Sequence, residues 1–508
     1  MSTTTHDKSH EPSTKRPEDE NLGLGANIAY GLQHVLTMYG GIVAVPLIIG
    51  QAAGLSPADT GVLIAAALFM GGVATLLQTL GLPFFGCQLP LVQGVSFASV
   101  STMIAIVVSG NGLPAVFGAV MVSAAIGFLI APVFSKVLKF LPAVVTGTII
   151  TTIGLTLMPV AARWAMGGNS QAEDFGSMAN IGLAAFTLLL VLVLSKVGVA
   201  AISRLSILLA LVLGTLFATF VGMADFSSID EGPIFALPMP FYFGPPTFEI
   251  PAIISMLIVV VVILTETTAD IIAVGEIVDT KLGSKRIADG LRADMGSSAI
   301  APIFGSFTQS AFAQNVGLVA VTGVKSRFVV AAGGIILVTL GLLPIMGRVI
   351  AAVPTAVLGG AGLVLFGTVA ASGIRILARV EYRNNMNLVV VATALGFGMI
   401  PIAAPNFYEH FPTWFETIFH SGISSAAIMA ILLNLLFNHM SFGNTDQSSV
   451  FVAGTDRILY RSEVAALSEG DHFVDGRLFN AEGTEVPIIE EDGTVTTDNP
   501  VPEKPPTA

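Results

Sequence analysis

Successive runs of about 18 to 25 apolar residues fill the chain from about residue 26 to residue 440; at 1.5 Å per residue, a helix of that length crosses roughly 30 Å of hydrocarbon. Fourteen such segments are read, near 26-48, 60-80, 84-108, 113-133, 138-160, 180-196, 204-223, 250-275, 288-305, 308-324, 328-346, 353-374, 386-402 and 421-440. The expected fold class is therefore an all-α polytopic membrane protein. Composition agrees: 53% of the residues are hydrophobic and 11% charged, and mean hydropathy is +0.82, outside the range of soluble domains. The stretch before the first run is polar and proline-containing, without the apolar core of a secretory signal, so the first span is expected to stay in the mature protein. One cysteine, Cys87, excludes an intrachain disulfide and a cysteine metal site, so no redox centre or metal cofactor is expected. The net charge of -12 comes largely from a loop at Asp225–Glu231 and from residues 442-508, read as a solvated acidic tail.

Positive charge is retained on the cytoplasmic side during insertion. With the N-terminus inside, Lys136, Lys139, Lys196, Arg204, Lys281, Lys285, Arg286, Lys325, Arg327, Arg375, Arg379 and Arg383 all fall in inside connections. Only Arg163 and Arg348 fall outside. An even number of spans returns the C-terminus, with Arg457, Arg461, Arg477 and Lys504, to the cytoplasm.

The chain repeats itself. Pro132, Lys136, Val137, Pro142, Val145 and Gly147 recur 212 residues later as Pro344, Arg348, Val349, Pro354, Val357 and Gly359. Lys136 precedes segment five and Arg348 precedes segment twelve, so each repeat holds seven spans and the halves lie in opposite orientation. That also explains why Arg348 breaks the charge rule. Inverted halves meeting near the midplane are an architecture of secondary transporters, with the solute held by discontinuous helices. Segments three and ten look interrupted: Pro90 to Phe97 in one, Ser310 to Gly317 in the other. Matching Gln93 to Gln314 aligns them, and Val95, Phe97, Phe312 and Val316 suit short extended pieces before a helix.

Glu266 and Asp270 lie four apart after the apolar run Met256–Leu264, on one face of segment eight. A carboxylate is costly to ionise there, so such residues face the bundle interior and mark a solute or proton pathway. Asp270 also reads as a structural partner of Glu266. Asp294 stands beside Arg292, and an internal ion pair, a bond to broken backbone and a solute contact are all open to it. His34, with Gln33 in segment one, relays a proton or anchors a neighbouring helix. Gln314 and Asn315 carry amides that offer donors and an acceptor to a planar heterocycle, or else satisfy the backbone of the broken segment.

These residues resemble the nucleobase-ascorbate transporters, also called nucleobase:cation symporter-2. Their signature is Gln, Glu or Pro, then Asn, any residue, Gly, four residues, Thr, and Arg, Lys or Gly. Here it reads Gln314-Asn315-Val-Gly317-Leu-Val-Ala-Val-Thr322-Gly323, with Gln33-His34, Gly94-Val-Ser96-Phe97 and Glu266 where the family has them. The likeness spans about residues 24 to 440. Ala269 departs from the glycine often found there.

The resemblance implies that Glu266 and Gln314 bond the base, Phe97 packs near it, Asn315 and Asp294 organise the site, and His34 supports it. Gln314 favours an oxidised purine, xanthine or urate; uracil carriers tend to have Glu there. It also implies a core of spans one to four and eight to eleven (24-133 and 250-347), a gate (134-224 and 348-441), an extracellular loop at 225-249, tails at 1-23 and 442-508, alternating access and a homodimer. The expected activity is proton symport in the plasma or inner membrane, with sodium as the other cation to consider and no cofactor. Nucleic acid is not an expected partner, and no nucleophile-and-base set suggests an enzyme. An anion channel or exchanger of related architecture is the rival reading, against which Glu266 and Asp270 count.

Overall fold

The structure, a computed structural model, describes residues 16-134, 141-197, 199-230, 232-380, 382 and 385-440, with short pieces of the tail between 459 and 496. Lys136, Val137, Lys139, Arg383, Arg457, Arg461 and Lys504 lie outside the described residues.

The helices in chain order are α1 (Leu24–Ala52), α2 (Pro57–Leu80), α3 (Val100–Ile106), α4 (Gly112–Ile130), α5 (Ala143–Ala165), α6 (Met178–Lys196), α7 (Ser206–Phe220), α8 (Ile250–Val278), α9 (Ser284–Ile300), α10 (Ala313–Thr322), α11 (Arg327–Gly341), α12 (Pro344–Ala351), α13 (Thr355–Leu377), α14 (Asn385–Ala403), α15 (Thr413–Phe419) and α16 (Gly422–Asn434). Strand β1 (Gln93–Val95) precedes α3 and β2 (Gln309–Ala311) precedes α10. Local chemistry sets several of these starts. Ser56 caps α2 by accepting from Asp59 N at 3.1 Å, with Pro57 in the first turn. Pro142 and Pro354 cap α5 and α13.

Among the described residues nine helices are long and apolar enough to cross a membrane, or ten if α11 and α12, bent by 79°, form one broken span. The fourteen segments thus do not each appear as a full apolar helix. Segments three and ten spend part of their length as strand, which leaves α10 only ten residues. Segment nine, α9, carries Lys285, Arg286, Asp289, Arg292 and Asp294, and segment seven, α7, has 15 residues. The extended pieces also differ in place: β2 ends before Phe312, and Val316 is helical.

Helices α5 and α13, both 23 residues long and both following a repeated proline, pack on each other. A Cβ at Gly147 would meet Leu377, one at Gly154 would lie 2.2 Å from Ala370 N, and one at Gly359 would lie 2.2 Å from Ala165 N. Numbers rise on one helix as they fall on the other, so the pair is antiparallel, as halves of opposite orientation require. Small residues bring the two backbones together where apolar side chains gain little from leaving lipid. In the same membrane unit, Arg348 is buried and donates to the backbone carbonyls of Ile229 (2.8 Å) and Pro233 (3.0 Å), which accounts for its lone position.

Residues 382-386 and 442-508 form a second unit. There β-strands His472–Val474, Arg477–Phe479 and Glu485–Val486 make an antiparallel sheet, and Leu459–Tyr460, Ile488–Ile489 and Val495–Thr496 make a mixed one, with Ile488–Ile489 parallel to the first and antiparallel to the last. The stretch 442-508, read from the sequence as a solvated acidic tail, thus carries short strands that the sequence reading did not expect. Their alternation, as in His472-Phe-Val, is too short to stand out in an acidic background.

Candidate functional site

Two strands cross inside the helical bundle. β1 and β2 pair antiparallel, with Gln93 opposite Ala311, Gly94 opposite Ser310 and Val95 opposite Gln309, and all six residues are buried. Non-helical backbone at membrane depth must find a partner for every polar group. Hydroxyl groups of the surrounding helices supply them: Gln93 N donates to Thr75 Oγ1 (2.9 Å), Gln309 N to Ser298 Oγ (2.7 Å) and Ala311 N to Thr267 Oγ1 (3.4 Å). Each strand then leads into helical backbone. Ser96, buried, accepts from Ala98 N at 3.2 Å and caps the turn before α3, while Phe312 stands at the cap of α10. Both helix N-termini therefore begin at the crossing, where unpaired N–H groups and the positive dipole end suit a polar solute.

The signature is divided between the faces of α10. Gln314, Gly317, Leu318 and Val321 recur at helical spacing and line a cavity of about 350 Å³ with Gly41, Arg204 and Thr368. A Cβ at Gly317 would meet nothing within 4 Å, so the glycine keeps that wall open. Asn315 turns the other way, and its Nδ2 lies 3.1 Å from His34 Nδ1 and donates to His34 O at 2.9 Å. Of the two readings of His34, the structure supplies the anchoring contact. Thr322 donates to Leu318 O (2.8 Å) and accepts from Val324 N (3.4 Å), and Gly323 ends the helix at φ 67°. Thr322 and Gly323 thus terminate α10.

Phe97 stands between the rings of Phe312 (6.4 Å) and Phe366 (6.0 Å), and Phe366 lies 6.1 Å from Trp164. This row runs from the strand crossing to α13 and α5. Gly41 admits it, for a Cβ there would lie 2.8 Å from the Phe312 ring. Half-buried Gln33 accepts at its carbonyl from Thr37 (2.8 Å), and Thr37 lines the Gln314 cavity.

Glu266 and Asp270 share a face of α8, as expected. Glu266 lines a crevice of about 10 Å³ against Thr146, Ile149 and Ile150 of α5. Among the described hollows, Glu266 and Gln314 therefore stand in different ones. Asp294 is fully buried, and its Oδ2 accepts from Thr267 Oγ1 at 2.5 Å. It does not pair with Arg292, which reaches Asp289 at 2.5 Å. Helix geometry explains that correction: residues two apart point to opposite sides, and residues three apart are neighbours. The match of Gln93 to Gln314 is also shifted, since Gln309 opens β2 as Gln93 opens β1.

Thr267, Thr75 and Ser298 were not singled out in the sequence. The polar group Thr265-Glu266-Thr267-Thr268 inside an apolar run is the signal that marks the first of them. Serine and threonine in spans commonly bond their own helix, and nothing local tells those from the residues that hold a strand.

A bundle of long apolar helices enclosing a pair of crossed, helix-starting strands defines a multi-pass membrane protein. The chain belongs to the Permease family, whose model, Xan_ur_permease, matches residues 25–407; this is the family that the Gln314–Gly323 signature resembles. The uric acid transporter UacT of Escherichia coli is 40% identical over 429 residues, which are 83% of this chain and 89% of that one. The xanthine permease of Bacillus subtilis is 38% identical over 82% of this chain and 95% of its own length. Solved structures similar in fold include the transmembrane domain of the cyanobacterial bicarbonate transporter BicA, at TM-score 0.53, 15% identity, and 81% and 97% coverage of the two chains. The murine anion transporter Slc26a9, in its inward-facing state, has TM-score 0.57 and 12% identity, with 82% and 69% coverage.

Proposed function

We propose that this chain is a secondary transporter that imports a purine nucleobase, xanthine or urate, by proton symport with alternating access. The observation that carries the reading is Gln314 on an open cavity at the start of a half-helix, in a chain about 40% identical to permeases named for those bases. Its amide matches the alternating N–H and C=O edge of an oxidised purine. Phe97 packs near the base, and Glu266, Asp270 and Asp294 form the acidic group through which the proton passes. The base bonds Glu266, Gln314 and backbone groups of the broken segments in the course of the cycle. The halves form seven plus seven segments, with the core at 24-133 and 250-347 and the gate at 134-224 and 348-441. The protein sits in the cell membrane as a homodimer with both termini cytoplasmic.

One proton moving inward at 100 mV contributes about 2.3 kcal/mol, enough for roughly fifty-fold accumulation. Uptake of labelled xanthine into proteoliposomes, with a proton gradient, a sodium gradient or neither, tests the coupling. Accumulation independent of the proton gradient overturns proton symport. Competition by unlabelled xanthine, urate, guanine and uracil tests the base, and failure of the purines to compete overturns the substrate assignment.

An anion exchanger is the second reading, favoured by Arg204 on the Gln314 cavity. The buried carboxyl of Asp294 and the half-buried ones of Glu266 and Asp270 make that environment unfavourable to a small anion.

A further inference from the structure

Around the strand crossing, buried polar atoms are left without a partner among the described groups: Gln78 Nε2, both amide atoms of Gln93, Gln309 Oε1, Asp294 Oδ1 and Asp270 Oδ2. Gln78, Gln93, Gln309 and Asp294 are fully buried. Such groups are costly when unpaired, and in proteins they are commonly satisfied by ordered water. Their placement is serial. Gln78 lies one turn from Thr75 on α2, and Thr75 holds the backbone of Gln93 through both its N (2.9 Å) and its O (3.2 Å). Across from Gln78 stands Gly290, where a Cβ would come within 3.3 Å of Gln78 Nε2, and Asp294 is one turn further along α9. Thr267 joins Asp294 to α8, three residues before Asp270. In the other direction Gln78 Oε1 accepts from Cys87 N (3.3 Å), and Cys87 lines a hollow of about 580 Å³ with Gln88, Arg286 and Asp289. That hollow shares no lining residue with the Gln314 cavity.

We propose that these side chains line a hydrated proton route from the Cys87 hollow past Gln78 and Gln93 to Asp294 and Asp270, separate from the cavity that takes the base. The inference rests on the proton-symport reading and its orientation, which puts the hollow on the cytoplasmic face. A glutamine amide both donates and accepts, so it orders a water chain without ionising itself. The proton leaves a carboxylic O–H of the aspartate pair for the first water and passes along the chain to bulk at the hollow. The carboxylate left behind receives the next proton from the opposite side. The charged groups acting on the pair are Glu266 on α8 and the two aspartates themselves. At the mouth Arg286 is engaged by Glu18 and by the carbonyls of Cys87 and Gln88, and Asp289 by Lys285 and Arg292. Among the described residues that line the mouth, the cations Arg16, Lys285 and Arg286 are each held by a carboxylate, which lessens their hold on the outgoing proton.

The test uses the full chain in proteoliposomes and the labelled base that the competition panel selects. Net uptake down a proton gradient requires the carrier to release its proton, whereas counterflow at symmetric pH shuttles the loaded carrier and does not. Gln78→Leu and Gln93→Leu are expected to slow net uptake by about tenfold, to leave counterflow within about twofold, and to raise the solvent deuterium effect on net uptake. Parallel loss of both rates, or no change in either, overturns the route. If neither leucine variant folds, Gln78→Ser, which leaves room for another water, is expected to keep net uptake near the parent rate, and a tenfold loss there overturns it. Counterflow without gradient-driven uptake in the parent overturns proton symport itself, and is recognised before any variant is made.

Discussion

One side-chain nitrogen of Asn315 reaches two acceptors on a single residue, the ring Nδ1 of His34 at 3.1 Å and its backbone carbonyl at 2.9 Å. The first turn of α10 is thereby fixed to α1, and the fixing sets which way Gln314, one residue earlier, points into the cavity.

Removing that bond should move the site more than it moves the fold. Interhelical hydrogen bonds within membranes are worth on average about 0.6 kcal/mol and at most about 1.7 kcal/mol. Asn315→Ala is expected to lower thermal stability in detergent by that order and to cut base affinity severalfold. His34→Ala, which keeps the backbone acceptor, should cost less on both. Equal losses of affinity in the two variants would argue that the ring nitrogen, and not the carbonyl, carries the anchor.

How far this site is legible in the sequence depends on range. The interruption of segments three and ten marks where the strands fall, because it is a local property of the chain, but reading Val316 as extended hides the helical spacing that sets Gln314, Gly317 and Leu318 on one wall. The contact of Asn315 with His34 joins residues far apart in sequence, and only the fold decides between a partner across the bundle and the solute. Asp294 shows the same limit. Its neighbour Arg292 is an available cation by sequence, yet helix geometry turns the two apart and Thr267 of α8 takes its place. The antiparallel course of α5 and α13 is the reverse case, since the repeated prolines and the seven segments read in each repeat already imply opposite directions.

The glycines of that packing give a sharp test. A Cβ at Gly154 would lie 2.2 Å from Ala370 N, and one at Gly373 would lie 2.3 Å from Thr151 N, both against backbone that cannot yield. Gly154→Val and Gly373→Val are each expected to destabilise by about 3 kcal/mol or more, seen as loss of folded protein on size exclusion. Gly182→Val on α6, where a Cβ meets nothing within 4 Å, is the control and should stay within about 0.5 kcal/mol of the parent. Folded, active protein from Gly154→Val would mean that the two helices do not meet there.

Before α1, Asp19 lies between Arg16 (3.0 Å) and Arg327 (2.7 Å). Burial acts to raise its pKa, but the hydrogen bonds and charges of the two arginines outweigh it and hold the carboxyl below the ordinary value of 3.8. A carboxyl depressed in the folded state stabilises above its unfolded pKa, and that contribution is lost as pH falls through the folded value. With a quarter of the carboxylate side chain exposed, the effect is about 1 kcal/mol at most. Asp19→Asn should therefore melt below the parent at neutral pH, with the gap closing as the pH is taken below 3.8. A gap independent of pH would show that the carboxyl acts by shape and not by charge.

Gln314 and Gly317 share the cavity wall, and the two make opposite predictions. Gln314→Glu keeps the size of the side chain but exchanges the amide donor for a second acceptor, so a base that offers a carbonyl there loses its bond and meets a lone pair. A site that has lost one matched polar contact discriminates by about 1–3 kcal/mol, so the variant is expected to lose tenfold or more in affinity for xanthine while keeping the cavity and the fold. Gly317→Leu instead projects a side chain into the cavity from a Cβ that meets nothing within 4 Å. Its melting temperature should match that of the parent, while uptake of the bicyclic purines falls more than uptake of the smaller uracil. If Gly317→Leu slows all bases equally, the cavity beside α10 is a passage and not the place where the base is selected.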